Sequence, residues 1–508
     1  MKKILVALLL ASCLSQSAFA LAPSTSVASI ASSSAPGFLK GQDGYEVALT
    51  GRLCFECPLG TNTQQKTYLF TGLGFSNFFQ TPVTTFNAFN ASQMFLVSSS
   101  KLGITASRQW GGWKQSLVGV LNLNQAAGAK TNTSEAYLLF ENDLFGSLAM
   151  GNTYGAEDSF AMGPFDITAG SGGITGTSIL NFIPQTTGVL LYNSMVGYTS
   201  TATKVRYSTA RNGGLMGFLS FTPNTIHRGD AALNTGSSPA RSPFQPFDLN
   251  SLAYGANYLT QWEKGSFGVS FVGLMGSTQP EKPLLPSAGT PEIINATDQS
   301  IIKQGTPTLT GQELARINTK AYQVGGVLTL GEISLAAEWT FNGNSHQLAN
   351  DFNCIVQVQD SNGNALPPRQ GVTPPTLNVN GQQQTFVSKR YLASQAGSGQ
   401  MLTLGLGYST PEYRLSLSYL NSSVKTGFLS ASQTTSHKAT CTGYMLSAEY
   451  NVVPGLTPYF EIGRFNLQNP DWAYTATMIP TLTQFEYCAV PGYETPSTVV
   501  MLGIKIQF

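Results

Sequence analysis

Val500-Met501-Leu502-Gly503-Ile504-Lys505-Ile506-Gln507-Phe508 ends the chain and changes face at almost every residue. Val500, Leu502, Ile504, Ile506 and Phe508 share one side, with Gly503, Lys505 and Gln507 opposite. A period of two is that of a strand, whose successive side chains point to opposite faces. The pattern recurs from Tyr413 to Tyr419, and in Ile333, Leu335, Ala337, Trp339 and Phe341 against Ser334, Ala336, Glu338 and Thr340. It recurs again in Leu402, Leu404, Leu406 and Tyr408, and in Tyr444, Leu446, Ala448 and Tyr450. Sixteen strands are expected, the first near 66–78, the second near 100–109 and the last near 497–508. Their connections alternate in length. Gly111-Gly112, Arg211-Asn212-Gly213, Glu263-Lys264, Gly331, Thr410 and Pro454-Gly455 are tight. Stretches 79–99, 155–202, 224–251, 277–319, 343–399, 422–440 and 468–496 are long. A soluble sandwich does not sort its loops this way. Short turns on one rim and long loops on the other fit an all-β fold, a transmembrane antiparallel barrel with its apolar face to lipid. Further strands at 44–53 and at Thr187–Tyr198 would together raise the count to eighteen.

Composition agrees. Only 10% of residues are Asp, Glu, Lys or Arg, against about 25% in a soluble globular chain. Gly numbers 52, Phe 29 and Tyr 20, while mean hydropathy is close to zero. Met1-Lys2-Lys3, the apolar run Ile4–Ala11 and Ala18-Phe19-Ala20 form an export signal, residues 1–20, with cleavage expected after Ala20. Leu10-Ala11-Ser12-Cys13 also fits a lipoprotein box, a less favoured start for the mature chain. Loss of Lys2 and Lys3 takes the formal charge from +1 to −1. Nucleic-acid binding is not expected from such a balance, which leaves no clustered basic footprint. Residues 21–65 are expected to be a low-complexity segment with a short strand at 44–53. That strand could be wall, periplasmic hairpin or lumen packing. The barrel proper is placed at 66–508.

Ser100-Lys101-Leu102-Gly103-Ile104, followed by Trp110-Gly111-Gly112-Trp113-Lys114, resembles the second strand and first turn of the general trimeric porins of Gram-negative bacteria. Glu135-Ala136-Tyr137-Leu138 through Phe145–Asn152 is similar to that family's fourth and fifth strands, and either Tyr192-Asn193-Ser194 or Thr203-Lys204-Val205-Arg206-Tyr207 resembles the start of its sixth. The resemblance covers most of the mature chain through short motifs in a shared order. It implies an outer-membrane homotrimer, one water-filled channel per subunit, and passive diffusion of small hydrophilic solutes and ions. It also implies a third loop, 155–202, folded inward. Glu157, Asp158 and Asp166 would be that loop's acids, facing Lys101, Lys204 and Arg206 on the wall. Asn152 follows Gly151 where many relatives carry Arg, which thins the basic cluster. Phe508 resembles the terminal aromatic that outer-membrane proteins present to the barrel-assembly machinery.

Five cysteines follow Ala20. Cys54-Phe55-Glu56-Cys57 reads as a local disulfide, with a redox pair or half a metal site as lesser readings. Cys441 and Cys488 flank adjacent loops and are expected to pair, leaving Cys354 odd. No cofactor or metal is expected. His227, His346 and His437 all fall in long loops, and no G-x-S-x-G, H-E-x-x-H or P-loop occurs, so catalysis is not expected. Two alternatives to general diffusion remain. Tyr154, Phe160 and Phe165 leave open a substrate-specific channel, for sugars for example, and the long loops leave open a surface adhesin.

Overall fold

A computed structural model describes residues 45–62, 97–122, 132–175, 195–225, 247–279, 316–347, 382–430, 438–469 and 493–507, with short strand pieces between them. The export signal, the expected strand at 66–78, Phe508, and His227 and His437 lie outside the described residues.

Sixteen strands form one closed antiparallel wall. They are β1 (Tyr45–Asn62), β2 (Val97–Trp110), β3 (Trp113–Asn122), β4 (Asn132–Asn142), β5 (Gly146–Thr153), β6 (Ala202–Ser208), β7 (Leu215–Asn224) and β8 (Phe247–Trp262). Then come β9 (Gly265–Gln279), β10 (Thr319–Leu330), β11 (Ile333–Phe341), β12 (Gln400–Ser409), β13 (Tyr413–Ser430), β14 (Lys438–Tyr450), β15 (Leu456–Asn469) and β16 (Tyr493–Gln507). Each pairs with its sequence neighbour, and β16 returns to β1 with Gln507 opposite Arg52 and Ser497 opposite Asn62. Closure is what lipid demands, because an unpaired strand edge in hydrocarbon leaves its amides without partners.

The first strand departs from the sequence reading. It is Tyr45–Asn62, longer than the short strand expected at 44–53 within segment 21–65, so the wall begins before residue 66. Cys57-Pro58-Leu59-Gly60 carries turn-forming residues, yet it holds register against β16, with Pro58 opposite Met501. The expected long loops are also shortened by strand. β13 continues to Ser430, and Gln382–Ala396 pairs onto its upper end, Lys389 opposite Ser430.

The same strand removes the local disulfide. Three residues along a strand separate Cα atoms by about 10 Å, from a rise of about 3.3 Å each, beyond the roughly 7 Å that a bridge can span. Cys54 carries a free thiol instead, with Sγ 3.4 Å from Glu56 Oε1 and 3.5 Å from the Tyr459 hydroxyl. Cys441 is free as well, so it is not bonded to Cys488. It faces inward from β14 and is buried with Leu420, Met445 and Leu467, while Cys488 sits on a separate hairpin strand, Glu486–Val490. The side chains of Cys57, Cys354 and Cys488 lie outside the described residues.

Alternation sorts the two faces. Outward stand Leu335, Leu404, Leu406, Leu417 and Leu446, exposed and apolar. Inward stand Ser334, Glu338, Thr403, Ser416 and Ser447, buried and polar. Outer aromatics stack, Phe271 on Tyr322 of the next strand at 6.2 Å and Trp339 with Phe341 along one strand at 5.7 Å. At the short rim Gly111 and Gly112 take φ of 54° and 81°, as a two-residue hairpin following the strand twist requires. An outward-facing charge at mid-strand is therefore expected to be costly. Leu404→Arg should lower the unfolding free energy in lipid vesicles by about 2–4 kcal/mol, against about 0–1 for Leu330→Arg beside a turn. Equal losses at both depths would contradict a lipid-facing exterior.

Candidate functional site

The third long connection leaves β5 at Thr153 and enters the lumen, returning to the wall at Ala202. Its described part, 154–175, runs along the inner wall from β7 towards β16. The inward residues of those strands satisfy its peptide groups. Ala156 N donates to Ser220 Oγ of β7 at 3.0 Å, and Asn257 Nδ2 of β8 donates to Phe160 O at 3.2 Å. Met162 N donates to Ser270 Oγ of β9 at 2.8 Å. Pro164 and Ile167 then pack on β12, where a Cβ at Gly405 would lie 3.0 Å from Pro164 Cβ. A side chain there would press on the Pro164 and Ile167 side chains of the loop. Ala169 N donates to Ser416 Oγ of β13 at 2.9 Å.

The far end is clamped by charge. Gly170 N donates to Glu449 Oε2 of β14 at 2.9 Å, and Ser171 N and Oγ donate to the two Glu461 oxygens of β15 at 3.0 and 2.6 Å. Lys505 of β16 donates to Gly170 O at 2.9 Å and to Glu449 Oε2 at 2.5 Å, and Arg414 of β13 meets Glu449 Oε1 at 3.1 Å. Glu449 is thus held between two cations and an amide, the arrangement that makes a buried carboxylate tolerable. Gly170 sits at φ 78° against the Glu461 carboxylate, so a side chain would be both strained and obstructed.

The charged residues expected at the constriction fall mostly at the root of this loop. Glu157 is 3% exposed and accepts from Thr199 N at 3.0 Å and from the Thr199 hydroxyl. Lys204, 2% exposed, donates to the same hydroxyl oxygen at 2.5 Å and to Ser200 O at 2.6 Å. Arg206 donates to Tyr154 O at 3.2 Å and to Ser159 Oγ, and its guanidinium lies 5.5 Å from the Phe160 ring centroid. Phe160 in turn stacks on Phe218 at 4.9 Å. Asp158 accepts from the Tyr198 hydroxyl at 2.7 Å. These contacts join the outgoing limb, 154–160, to the returning limb, 198–200. Asp166 is half-buried and accepts from Gly163 N at 2.9 Å, closing the turn Pro164–Asp166.

Lys101 stands apart from this cluster. It faces inward from β2, half-buried, directly opposite Arg52 of β1. Arg52 lies in the strand expected at 44–53, but with wall, hairpin and lumen packing all open for that strand the sequence does not single it out. The polar phase of Thr50, Arg52 and Cys54 against Leu49 and Leu53 was the available signal. The Arg52 Nε has no hydrogen-bond partner. Glu135 of β4 feels the charges of Lys101, Arg206 and Asp158.

His346 is not arranged for catalysis. One ring nitrogen, Nε2, meets both Asp248 Oδ2 at 3.0 Å and Thr319 Oγ1 at 2.8 Å. A general base uses one nitrogen for its orienting acid and the other for the nucleophile.

Burial drives the Asp158 carboxyl above its ordinary range, with the Tyr198 hydrogen bond pulling the other way. A carboxyl raised in the folded state adds stability below its unfolded value, about 4, and loses that contribution as pH rises through the folded value. Asp158→Asn, which keeps the acceptor for Tyr198, should therefore unfold at a higher temperature than the parent at neutral pH. The gain should vanish near pH 3. A neutral-pH loss of stability would show that the ionised carboxylate is the form the loop requires.

A family model described as Gram-negative porin matches residues 17–470. Among solved structures, the chain is similar to outer membrane protein OmpT of Vibrio cholerae in its trimer form, at 9% identity and a TM-score of 0.45, covering 92% of this chain and 100% of that one. It is also similar to the outer membrane channel DcaP of Acinetobacter baumannii and to Salmonella typhi OmpF in complex with daunomycin. Each shows 12% identity and a TM-score of 0.46, covering 92% of this chain and 99% of the other. No curated protein sequence matches the chain.

Proposed function

The chain belongs to the Gram-negative porin family, outer-membrane β-barrel channels, and from that premise we propose that it mediates passive diffusion of small hydrophilic solutes and ions. The observation carrying this reading is the third loop, which is fixed to the wall along its path rather than standing free in the lumen. A loop tied strand by strand narrows a pore to one constant aperture and needs no energy source or moving part. The export signal at 1–20 delivers the chain to the periplasm, Phe508 serves recognition by the assembly machinery, and three copies associate, each with its own pore.

In this reading the charges divide into two groups. Glu157, Lys204 and Arg206 hold the loop's root together, since all three are buried within it. Arg52 and Lys101 are the basic side chains that solutes meet. The inward acids Glu56, Glu135, Glu338, Glu449 and Glu461 are at most 6% exposed. Charges lining a narrow aqueous pore set its ion preference.

Single-channel recording of the purified protein in planar bilayers should give large steps that open in groups of three. A silent bilayer from well-folded protein would overturn the channel and leave the long loops as the functional part. Lys101→Glu and Arg52→Glu should each shift the chloride-to-potassium permeability ratio towards potassium by about two- to fivefold. That range corresponds to roughly 1 kcal/mol between unit charges about 4 Å apart in water. An unchanged reversal potential in both variants would place the selectivity elsewhere.

A further inference from the structure

Among its described residues, loop three leaves one large apolar side chain uncovered. Phe165 is 53% exposed, while its neighbours Met162, Pro164, Ile167 and Ala169 are all buried. The cause is the tight turn Pro164–Asp166, which repeats every three residues. Pro164 and Ile167 therefore share the side that packs onto Gly405 and Gly407 of β12, and Phe165 between them points away from the wall. The backbone on either side is fixed. Met162 N is bonded to Ser270, Gly163 N to Asp166, and Ala169 N to Ser416. The Thr168 hydroxyl donates to Phe165 O at 3.1 Å. These bonds hold the backbone that carries the ring.

Among the described residues of the loop the other phenylalanine is engaged, since Phe160 lies between Phe218 and Arg206. A single exposed apolar residue on an outer surface needs no explanation. One held on a rigid support inside a polar lumen is different, because every passing solute meets it. A ring kept wet on a fixed base offers transfer free energy and stacking to any apolar surface that reaches it.

Register links inward cations to the loop. Lys505 bonds to Gly170 O of the loop and lies opposite Cys54 of β1. Arg52 is two residues from Cys54 and opposite Lys101. Round the closed wall β1 and β2 lie five and six strands on from β12, which supports Phe165, hence on another side of the lumen.

We propose that Phe165 is a specificity-determining residue that makes the channel favour organic monoanions with an aromatic or apolar body, the body passing over Phe165 and the anionic group meeting Arg52 and Lys101. This rests on the open-channel reading above and adds a solute class to it.

The test compares phenylacetate with gluconate, two monoanions of similar size and opposite polarity of body. Permeability ratios are read from zero-current potentials in bilayers that first show potassium chloride conductance. The parent protein should pass phenylacetate in excess of the ratio of the two aqueous mobilities. Phe165→Ser should reduce that preference about threefold to tenfold, while Phe165→Tyr should keep it within about twofold, as expected for loss or retention of one aromatic contact. Phe165→Leu is the second variant should the serine form fail to fold, and should give an intermediate loss. Lys101→Gln should lower both permeabilities together and leave their ratio unchanged. Conducting variants whose phenylacetate preference equals that of the parent would overturn the inference and leave the channel standing. Folded parent protein that does not conduct potassium chloride would overturn the open-channel reading itself.

Discussion

In the hydrocarbon of a bilayer each backbone amide must find its partner within the protein. That requirement accounts for the closed wall and for the position of its seam. Fifteen strands with an unpaired final strand would leave Tyr493–Gln507 with one edge of its amides facing lipid, and Tyr45–Asn62 supplies that partner. The demand is strong enough to hold Cys57-Pro58-Leu59-Gly60 extended, against the local preference of proline and glycine for a turn. It also keeps Cys54 and Cys57 too far apart to bridge. The missing disulfide and the seam share one cause.

The same rule acts in the lumen in a weaker form. A loop folded against an inner wall loses water from its own amides, so the wall must offer acceptors. Ser220, Ser270, Ser416, Glu449 and Glu461 do so from separate strands. A neutral bond of this kind contributes about 0.5–1.5 kcal/mol, and one to a charged group about 1.5–3. Several in series exceed thermal energy many times over, so the loop's course is set by the wall. Beyond the Glu461 clamp the anchoring turns apolar, with Ile174 packed among Met401, Met445, Phe465 and Met501.

Most of the wall is legible in the sequence because period-two alternation and glycine turns are local properties. Gly111-Gly112, Gly331 and Pro454-Gly455 fall at the expected tight connections. The first strand is obscured because turn residues outweigh a short alternating run. The loop's anchors are illegible for another reason. Ser416 and Ala169 are 247 residues apart, and Ser171 and Glu461 are 290 apart. Only the stagger of the strands brings each pair to one level. Sequence gives the face on which Glu461 stands, but not its height in the barrel.

Burial then changes what the family resemblance implied for the charges. A loop acid can polarise a pore only if its charge reaches the water there. Glu157 is occupied by Thr199, and Asp158 accepts from the Tyr198 hydroxyl. Arg206 and Lys204 are likewise committed to loop atoms at 2–5% exposure. Arg52 and Lys101 stay half-buried side by side, where like charges repel and gain from an intervening anion. The negative side of the expected field is therefore muted more than the positive side. An exposed ring on the opposing loop gives the aperture an apolar contact as well, so charge and aromatic surface together act on the solute.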